Sequence, residues 1–561
     1  MASRHADAPD HEQDEMTNAS TPRPQRARPV GQRGRRFGFG QSTFWTVVGS
    51  LLPGSGLIAG RRHRRLGIAL LALFAIGIAS LLIWAAVDRR SLLQLAVRPA
   101  PLIIAAIGLP LVALVWVAVI VRTHLDTRPA VLTTLQRVIS SVLVGGLAFA
   151  VAAPLAVAGR YSYDQFGLVS QVFRTTDDSQ SGTRPDLGGD NPFQDKPRVN
   201  VLLIGADDAY GGDKGNIRTD TMMLASIDTR TGDTVLVSIP RQTMHIPFPA
   251  DSPLARYYPD GYTSSYDEAE GMANAIYYNV PQEVPADILG KTDDLGADVL
   301  KLGIGEATGL PVDYYVMVNF RGYRKLIDSL GGITVNINRH VPIGGNTDRG
   351  IPPEDQLNPG PNQHLDGFQA LWFARGRYGQ DDYQRNIRQR CSVNAIIQQA
   401  NPINVLQRYE AIASASASMV ETDIPQEMLP AMVDLSLRVK DAKVRSLAAF
   451  DGDDSLSTAD PDFDALRQRV QESIKETEQA APKKQEPAPP GGEPAPPGGG
   501  GTTEPQPEES EEPSTAPSTD GGDGGGQPSA APKERSQDLA SSCEFDPKAA
   551  AESQPYYTTG R

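Results

Sequence analysis

The chain has 561 residues, a formal net charge of −14 at pH 7 and two cysteines, Cys391 and Cys543. The length leaves room for several domains, and the acidic balance argues against a protein with general affinity for nucleic acid. Two cysteines exclude a disulfide-rich scaffold and a structural zinc site, and leave one disulfide or two unrelated thiols as alternatives.

The amino-terminal third changes from polar to apolar. Residues 1–41 are polar and rich in arginine, so we predict a disordered cytoplasmic tail. Region 66–159 is predicted to hold three transmembrane helices, because three nearly uncharged stretches are long enough to span a bilayer, at 66–87, 102–121 and about 138–158. A secretory signal peptide does not fit, because the first apolar segment begins too far into the chain.

A shorter apolar segment precedes these spans. It covers residues 44–59, is interrupted by Pro53 and Gly54, and has arginines on both flanks. Because positively charged flanks stay on the cytoplasmic side, we predict that region 42–65 is interfacial or re-entrant. Three crossings then place everything after about residue 159 outside the cytoplasmic membrane. Arginines in the outer loop between the first two spans conflict mildly with this topology, and a fourth crossing is the alternative.

A folded domain is predicted at 198–440, after a polar stalk at 160–197. Strands mixed with helices indicate an α/β layered domain large enough to bury a full core. Apolar runs predict strands at 199–204, 221–227, 234–239, 314–320 and 333–337, and helical patterns lie at 298–308, 322–330, 365–374, from 382 onward and between 402 and 439.

The remainder of the chain is predicted to be mostly unfolded. Residues 441–471 form the edge of the domain. Region 472–533 consists largely of Pro, Gly, Glu and Ser and is predicted to be a disordered linker. The short segment 534–561 carries Cys543, and its few apolar residues could dock on the main domain.

Two aspartates flank the loop between the first two predicted strands. Asp207 lies just past the first strand and Asp220 lies just before the second. If these strands pair antiparallel, the two carboxylates meet at one edge of the sheet. Close carboxylates repel unless a cation lies between them, and Mg²⁺ takes one or two protein carboxylates together with phosphate oxygens. The alternative is that Asp220 caps a turn and Asp207 is simply a loop acid.

Arginines accompany these acids. Arg218 precedes Asp220 by two residues, so that both side chains point to the same side of an extended segment. Guanidinium groups suit paired hydrogen bonds to phosphate oxygens, so the set predicts an anionic ligand, with surface ion pairs and a solvated charged helix as the alternative. The other members are Arg241 after the third strand, and Arg375, Arg377, Asp382, Arg385, Arg388 and Gln389 in the segment 373–391.

Other chemistries have little support in the sequence. The histidines show no metal-ligand spacing, and there is no nucleophilic serine motif of the G-x-S-x-G type. The glycine-rich runs lack the order of a Walker loop or a dinucleotide fingerprint.

Long motifs in the right order carry a family resemblance. The chain resembles the LytR-CpsA-Psr family over about residues 198–397, and the membrane segments with the variant RQRC resemble its actinobacterial branch. The motifs are NVLLIGAD, RTDTMMLASIDTRTGDTVLVSIPR, GLPVDYYVMVNFRGYRKLIDSLGGITVNI and LDGFQALWFARGRYGQDDYQRNIRQRC.

This resemblance implies an α/β/α sandwich with a mixed central sheet, on the cell-wall side of the membrane. It implies a phosphotransferase that moves a glycopolymer from a polyprenyl-pyrophosphate carrier to peptidoglycan through a phosphodiester. Mg²⁺ would lie near the pyrophosphate, and a hydrophobic tunnel between sheet and helices would take the lipid tail. We predict Arg241, Arg375, Arg377, Asp382 and Arg385 as catalytic, Arg218, Asn274, Arg388 and Gln389 as substrate-binding, and Asp207 and Asp220 as Mg²⁺ ligands.

The chain departs from the family pattern at two places. Asp208 and Ala209 stand where many members have an arginine, which removes one phosphate contact. Gln242 stands where many have an aspartate, which leaves Asp382 as a weak candidate for proton acceptance. A non-catalytic sensor of lipid-linked intermediates and a pyrophosphatase that releases the glycan to water are the alternative functions. A disulfide between Cys391 and Cys543 is also predicted; it would tie the carboxy-terminal segment to the arginine-rich helix.

Overall fold

The computed structural model describes residues 37–88, 91, 94–189, 191–207, 217–264, 267–347, 349–399, 420–450, 457–480 and 536–556. The chain divides into two compact units, one made of residues 1–80 and 112–154 and the other of residues 81–111 and 155–561. Most of the predicted tail 1–41 and the predicted linker after residue 480 lie outside the described residues.

Long apolar helices dominate the amino-terminal part. Among the described residues, α3, α4 and α5 are long and apolar enough to cross a membrane, with mean hydropathies of 2.7, 2.8 and 2.2. They contain the three predicted spans. The helices are α1 Phe39–Leu51, α2 Ser55–Gly60, α3 Arg64–Val87, α4 Pro99–Thr127 and α5 Thr134–Val172.

Helix α1 has the reverse of the pattern expected in water. Its buried residues include Ser42 and Thr46, whereas Phe44 and Leu51 are 59% and 69% exposed. Polar side chains inside and apolar ones outside are typical of a helix surrounded by lipid. The helical conformation is interrupted at Gly54, whose φ of 99° lies in the left-handed region that favours glycine. This break separates α1 from the short α2.

Helix α5 continues well past the predicted end of the third span. The predicted stalk 160–197 therefore begins as a helix that ends at Val172. Phe166 and Val169 lie about one turn apart on the same helix face, and Phe173 follows the helix directly. All three pack in a cluster with Val201 of the folded domain. The polar composition of this segment concealed an amphipathic helix, which is why the sequence prediction placed a stalk here.

A mixed seven-stranded sheet forms the centre of the folded domain. Its strand order is β11-β10-β3-β2-β1-β4-β9, with β1/β4 and β3/β10 parallel and the other neighbours antiparallel. Two small antiparallel sheets, β5/β8 and β6/β7, lie outside it. The strands are β1 Arg198–Ala206, β2 Thr219–Asp228, β3 Thr234–Ile239, β4 Tyr314–Asn319, β5 Ile333–Ile337, β6 Val341–Ile343, β7 Asp355–Leu357, β8 Gly360–Leu365, β9 Val420–Thr422, β10 Val444–Ala448 and β11 Gln537–Asp538.

The helices of this domain have caps that are visible in the sequence. Asp294 accepts a hydrogen bond from the backbone of the first turn of α7, and Asp366 with Gln369 forms a capping box at α9. The helices are α6 Ala273–Glu283, α7 Leu295–Thr308, α8 Phe320–Leu330, α9 Gly367–Arg375, α10 Asp382–Gln399, α11 Leu429–Asp441, α12 Phe463–Ala480, α13 Leu539–Ser542 and α14 Pro547–Glu552.

Helices cover both faces of the sheet. Met222 and Leu224 of β2 pack in one core with residues of α6, α7 and α12. Met223 and Ala225 pack on the opposite face, in a cluster with residues of α10 and α13. Successive side chains of a strand point to opposite faces, so each face of β2 contributes to a different layer. The predicted α/β/α sandwich is confirmed.

The described domain extends beyond the predicted boundary at 440. Strand β10, in the predicted domain edge 441–471, is an interior strand of the sheet. Helix α12 runs to Ala480, into the predicted linker 472–533. Leu466, Val470 and Ile474 recur every four residues along α12 and are buried in the core. The many charged residues of α12 lie between these apolar positions, which is why composition alone indicated a domain edge.

A disulfide joins the carboxy-terminal segment to helix α10. Cys391 and Cys543 are bonded, as predicted, across a sequence separation of 152 residues. A cross-link of this span restricts the unfolded chain strongly, and the removal of a native disulfide usually costs about 2–5 kcal/mol of the free energy of unfolding.

We therefore expect the double variant Cys391→Ala, Cys543→Ala to lose about 2–5 kcal/mol of the free energy of unfolding. Denaturant titration of the detergent-solubilised chain measures this loss. Reductant should lower the melting temperature of the wild type and leave that of the variant unchanged. Two reactive thiols in unreduced, denatured wild-type protein would contradict the prediction.

Candidate active site

The first two strands bring the two predicted metal acids together. β1 and β2 pair antiparallel, with Ala206 opposite Thr219 and an irregular register at that end. Just beyond it, the backbone N–H of Asp207 donates to the carbonyl of Arg218 at 2.9 Å. Asp207 and Asp220 therefore lie at the same end of the sheet and line the same cavity. The expected strand pairing is present.

Arg241 lies between two carboxylates. Its Nη1 donates to Oδ1 of Asp220 at 2.8 Å, and its Nε lies 3.4 Å from Oδ2 of Asp382 at the start of α10. Burial alone lowers the pKa of Arg241, but the two carboxylates outweigh burial and raise it. The backbone carbonyl of Arg241 also accepts from Asn274 N at 3.1 Å, which fixes the start of α6 beside the site.

Arg385 is the most deeply buried arginine of the cavity lining. It is 3% exposed and pairs through Nη1 with Oδ1 of Asp382 at 3.2 Å. Its Nε and Nη2 have no acceptor among the residues that the structure describes. Burial lowers its pKa, Asp382 opposes this shift and the nearby Arg241 adds to it. Two buried donors without acceptors point to an anionic group as the missing partner.

The cavity has a volume of about 250 Å³. Its lining includes eight of the predicted residues, seven charged and one amide: Asp207, Arg218, Asp220, Arg241, Asn274, Arg375, Arg377 and Arg385. The other lining residues, here called the neutral set, were not predicted: Gly344, Gly345, Asn346, Thr347, Trp372 and Tyr378.

Asp382, predicted as catalytic, lies behind this lining. Both of its carboxylate oxygens face arginines, Oδ2 toward Arg241 and Oδ1 toward Arg385. Both oxygens of this carboxylate are thus engaged by guanidinium groups. The geometry therefore makes Asp382 a residue that orients the two arginines.

Two predicted substrate-binding residues are not brought to the cavity. Arg388 is buried beneath the loop between α9 and α10, where its Nε donates to the Phe373 carbonyl at 2.7 Å, its Nη1 to Gln380 Oε1 at 2.6 Å and its Nη2 to the Gly376 carbonyl. Burial lowers its pKa to about 10. Gln389 is also buried, one helical turn beyond Arg385, and does not line the cavity. Helical spacing alone did not show that these side chains are turned toward the protein interior.

Arg375 is held by aromatic rings. Its guanidinium carbon lies 4.6 Å from the ring centroid of Phe320 and 5.4 Å from that of Trp372. Both distances fit cation–π contacts, which position a guanidinium without neutralising it. The charge of Arg375 therefore stays available to a ligand in the cavity.

Glu270 is a site-forming residue that the sequence prediction missed. Arg218 Nη2 donates to Oε1 and Oε2 of Glu270 at 2.5 and 2.6 Å, and Asn279 Nδ2 donates to Oε2 at 2.8 Å. The hydrogen bonds from Arg218 and then Asn279 lower the pKa of Glu270. Glu270 thus orients Arg218. It is 52 residues away in sequence, and no local motif connects the two.

Replacement of Glu270 by glutamine should destabilise the protein in a pH-dependent way. A carboxylate with a lowered pKa stabilises the fold above its ordinary pKa, and this contribution disappears as pH falls through the lowered value. At pH 7 we expect a loss of about 0.5–1 kcal/mol, as for a partly exposed ion pair. The difference in melting temperature between wild type and Glu270→Gln should shrink as the pH falls below 4.5, the ordinary pKa of a glutamate carboxyl. A difference that is constant down to strongly acidic pH would contradict this account.

The acceptor atoms of the cavity suit a magnesium ion shared with a phosphate. Among the described residues, no group of three or more His, Cys, Asp or Glu side chains could hold a metal ion. Mg²⁺ commonly uses only one or two protein carboxylates, with water and phosphate oxygens as its other ligands. Asp207 and Asp220 supply two carboxylates, and Oδ1 of Asn274 is buried without a donor among the described residues. These oxygen atoms are suitable ligands for a magnesium ion.

Comparison with known proteins gives a consistent result over this domain. A model of the LytR_cpsA_psr family matches residues 168–479, more than half of the chain. TagU of Oceanobacillus iheyensis, named polyisoprenyl-teichoic acid–peptidoglycan teichoic acid transferase, is 28% identical over 277 residues, which cover 48% of this chain and 73% of the relative. TagU of Bacillus mycoides is 26% identical over 277 residues, with 48% and 75% covered. The matched range includes the end of α5, β10 and most of α12, all outside the predicted domain.

Solved structures of similar proteins were also found. The crystal structure of B. subtilis TagV has a TM-score of 0.35 and 24% identity, and covers 51% of this chain and 99% of that one. A structure described as TagT bound to LIIa-WTA has a TM-score of 0.35 and 18% identity, and covers 54% of this chain and 99% of that one.

Proposed function

Because the chain belongs to the LytR-CpsA-Psr family, we propose that it is a membrane-anchored phosphotransferase that moves a glycopolymer from a polyprenyl-pyrophosphate carrier to peptidoglycan. The names of the TagU relatives support a transfer of this class. The single observation that carries the proposal is Arg385, whose two buried donors lack acceptors in a cavity lined by four more arginines.

The charge of the cavity matches a pyrophosphate diester. Five arginines and two aspartates line it, so its formal charge is positive. Arginine forks bind phosphate oxygens in fixed geometry, and a partly buried site strengthens each contact. A magnesium ion held by Asp207 and Asp220 would help the arginines to neutralise the bound diphosphate and the charge that develops during transfer.

The reaction is a substitution at phosphorus. A sugar hydroxyl of peptidoglycan attacks the phosphorus next to the glycopolymer, the bond from this phosphorus to the bridging oxygen breaks, and polyprenyl phosphate leaves with that oxygen. The hydroxyl proton departs to solvent water. Arg241 and Arg385, fixed by Asp382, stabilise the non-bridging and leaving oxygens. Positioning and electrostatics supply most of the rate.

The remaining lining and the neighbouring core suit the other parts of the donor. Within the neutral set, Asn346, Thr347, Trp372 and Tyr378 offer amide, hydroxyl and aromatic groups to the first sugar. The layer between β2 and α6 is apolar, and Met222 and the helices that cover it form the core next to the site. We expect the isoprenoid chain to enter this layer by displacing packed side chains.

The proposed orientation places this domain on the cell-wall side. Arginines flank the apolar segment 44–59 on both sides, and the loop between α4 and α5 carries Arg128, so the flanks and this loop belong on the cytoplasmic side by the positive-inside rule. Three crossings then bring the domain after α5 to the outside, where peptidoglycan is found.

The test uses the full-length protein in lipid nanodiscs. It is given a polyprenyl-pyrophosphate-linked oligosaccharide and soluble peptidoglycan fragments, with and without Mg²⁺, and the products are identified by mass spectrometry. A glycan–phosphate–peptidoglycan product that requires Mg²⁺ supports the proposal. Free sugar phosphate alone would instead show a pyrophosphatase, and saturable binding without turnover would show a sensor of lipid-linked intermediates. Either outcome overturns the proposed transfer.

A further inference from the structure

The described carboxy-terminal segment 536–556 is an integral part of the domain. Its strand β11 pairs with β10 at the edge of the sheet, with Gln537 opposite Ser446. Leu539 follows and is fully buried against Met223 and Leu236. Cys543 then bonds to α10. The segment is thus anchored by main-chain pairing, by an apolar side chain and by a covalent bond.

Beyond the disulfide, the segment follows the end of β5 and the start of β6. Asn336 Nδ2 donates to the Cys543 carbonyl at 2.9 Å, and Asn338 Nδ2 donates to the Glu544 carbonyl at 3.0 Å. The backbone N–H of His340 donates to Ser553 Oγ at 2.8 Å. These bonds lead the chain toward the loop between α9 and α10.

The described part of the segment reaches that loop at Tyr556. Its ring makes an edge-to-face contact with the ring of Tyr378, with 6.1 Å between centroids. A Cβ added at Gly379, which has a φ of 67°, would lie 3.6 Å from Tyr556 Cε1. The Tyr556 hydroxyl is hydrogen-bonded to the side chain of Gln380, and burial raises its pKa. Two loop residues, Tyr378 and Gln380, therefore contact this one tyrosine, and Gly379 lies between them.

The same loop supplies two residues of the cavity lining, Arg377 and Tyr378. It is held from inside by Arg388, whose guanidinium binds the Gly376 carbonyl and the Gln380 side chain. Gln380 also donates through Nε2 to the His340 carbonyl at 2.6 Å. Tyr556 is the contact from the outer side. The loop is thus enclosed between an arginine of α10 and a residue about 170 positions further along the chain.

We propose that the carboxy-terminal segment is part of the catalytic apparatus, with Tyr556 as a positioning residue that holds Arg377 and Tyr378 toward the cavity. The effect on turnover rests on the proposed function, whereas the effect on the loop does not. A misplacement of a reacting or charge-stabilising group by about 1 Å can cost about 100-fold in rate. Loosening of one loop should therefore lower kcat with little change in KM.

The experiment compares Tyr556→Ala and Tyr556→Phe in the full chain, with Tyr257→Ala as matched control because Tyr257 is 48% exposed. Hydrogen–deuterium exchange is followed in the peptide 376–381, where the backbone N–H of Gln380 donates to the Arg377 carbonyl at 2.9 Å. We expect severalfold faster exchange in Tyr556→Ala and an intermediate rate in Tyr556→Phe, which retains the ring. Transfer by Tyr556→Ala should fall by about 10- to 100-fold in kcat.

The outcomes separate this proposal from the proposed function. Unchanged exchange in both Tyr556 variants overturns the positioning role, and so does faster exchange with wild-type kcat. If the wild type transfers nothing, the proposed function fails, and the exchange rates still decide whether Tyr556 holds the loop. If Tyr556→Ala does not fold, Tyr556→Phe decides through the same two measurements, since it removes only the hydroxyl.

Discussion

Replacement of Arg385 by lysine should lower kcat/KM by about 100- to 1,000-fold, the usual effect of removing one donor from a site that stabilises developing charge. Lysine keeps the positive charge but cannot supply the two donors, Nε and Nη2, that lack acceptors in this structure. The ion pair with Asp382 can persist in the variant. The expected loss of kcat/KM therefore depends on the geometry of the Arg385 guanidinium group and not on the net charge of the cavity.

The measurement is steady-state transfer with a lipid-linked donor, together with the melting temperature of each variant. Arg230→Lys is the matched control, because the Arg230 side chain is 80% exposed at the turn between β2 and β3. It should behave as wild type in both assays. Wild-type kcat/KM in Arg385→Lys would remove the main support for the pyrophosphate site, provided that both proteins are folded.

Replacement of Asp220 by asparagine should have the second largest effect, a loss of about 100-fold in activity at low Mg²⁺. Asp220 holds Arg241 through a 2.8 Å ion pair and is one of the two proposed magnesium ligands. The variant keeps the shape of the side chain and loses its charge. A weaker ligand set should require more Mg²⁺ for half-maximal activity, so high Mg²⁺ should restore part of the rate.

A second readout does not depend on catalysis. A ligand that binds only the folded protein raises its melting temperature. Mg²⁺ with a non-hydrolysable pyrophosphate should stabilise the wild type and should stabilise Asp220→Asn and Asp207→Asn less. Asp464→Asn serves as control, since the Asp464 side chain is 87% exposed. Equal stabilisation of all four proteins would rule out the two aspartates as magnesium ligands.

Four of the eight cavity residues that the sequence located are positioned by neighbouring strands. Asp207, Arg218 and Asp220 are close in sequence, and one antiparallel strand pair brings them to the same end of the sheet. Arg241 follows the next strand of that same sheet, so its place follows from local strand order. Such positions can be predicted, because short connections between paired strands fix which chain ends meet.

The residues that the sequence missed depend on long-range packing. Glu270 reaches Arg218 only because the segment before α6 folds back against β2. Asn346 and Thr347 enter the cavity from the loop between β6 and β7, whose glycines at 344 and 345 have positive φ. Helical periodicity placed Arg388 near Arg385, but it could not show that the backbone carbonyls of Phe373 and Gly376 use its donors.

The position of β11 at the rim of the sheet has a consequence for biosynthesis. Strand β10 pairs with β3 on one side and with β11 on the other, so the ribosome must extend the chain to Asp538 before β10 gains its second neighbour. An unpaired strand at a rim recruits strands from other chains. Nascent copies therefore carry this open edge from the synthesis of Ala448 until that of Asp538, and products truncated within this interval should aggregate.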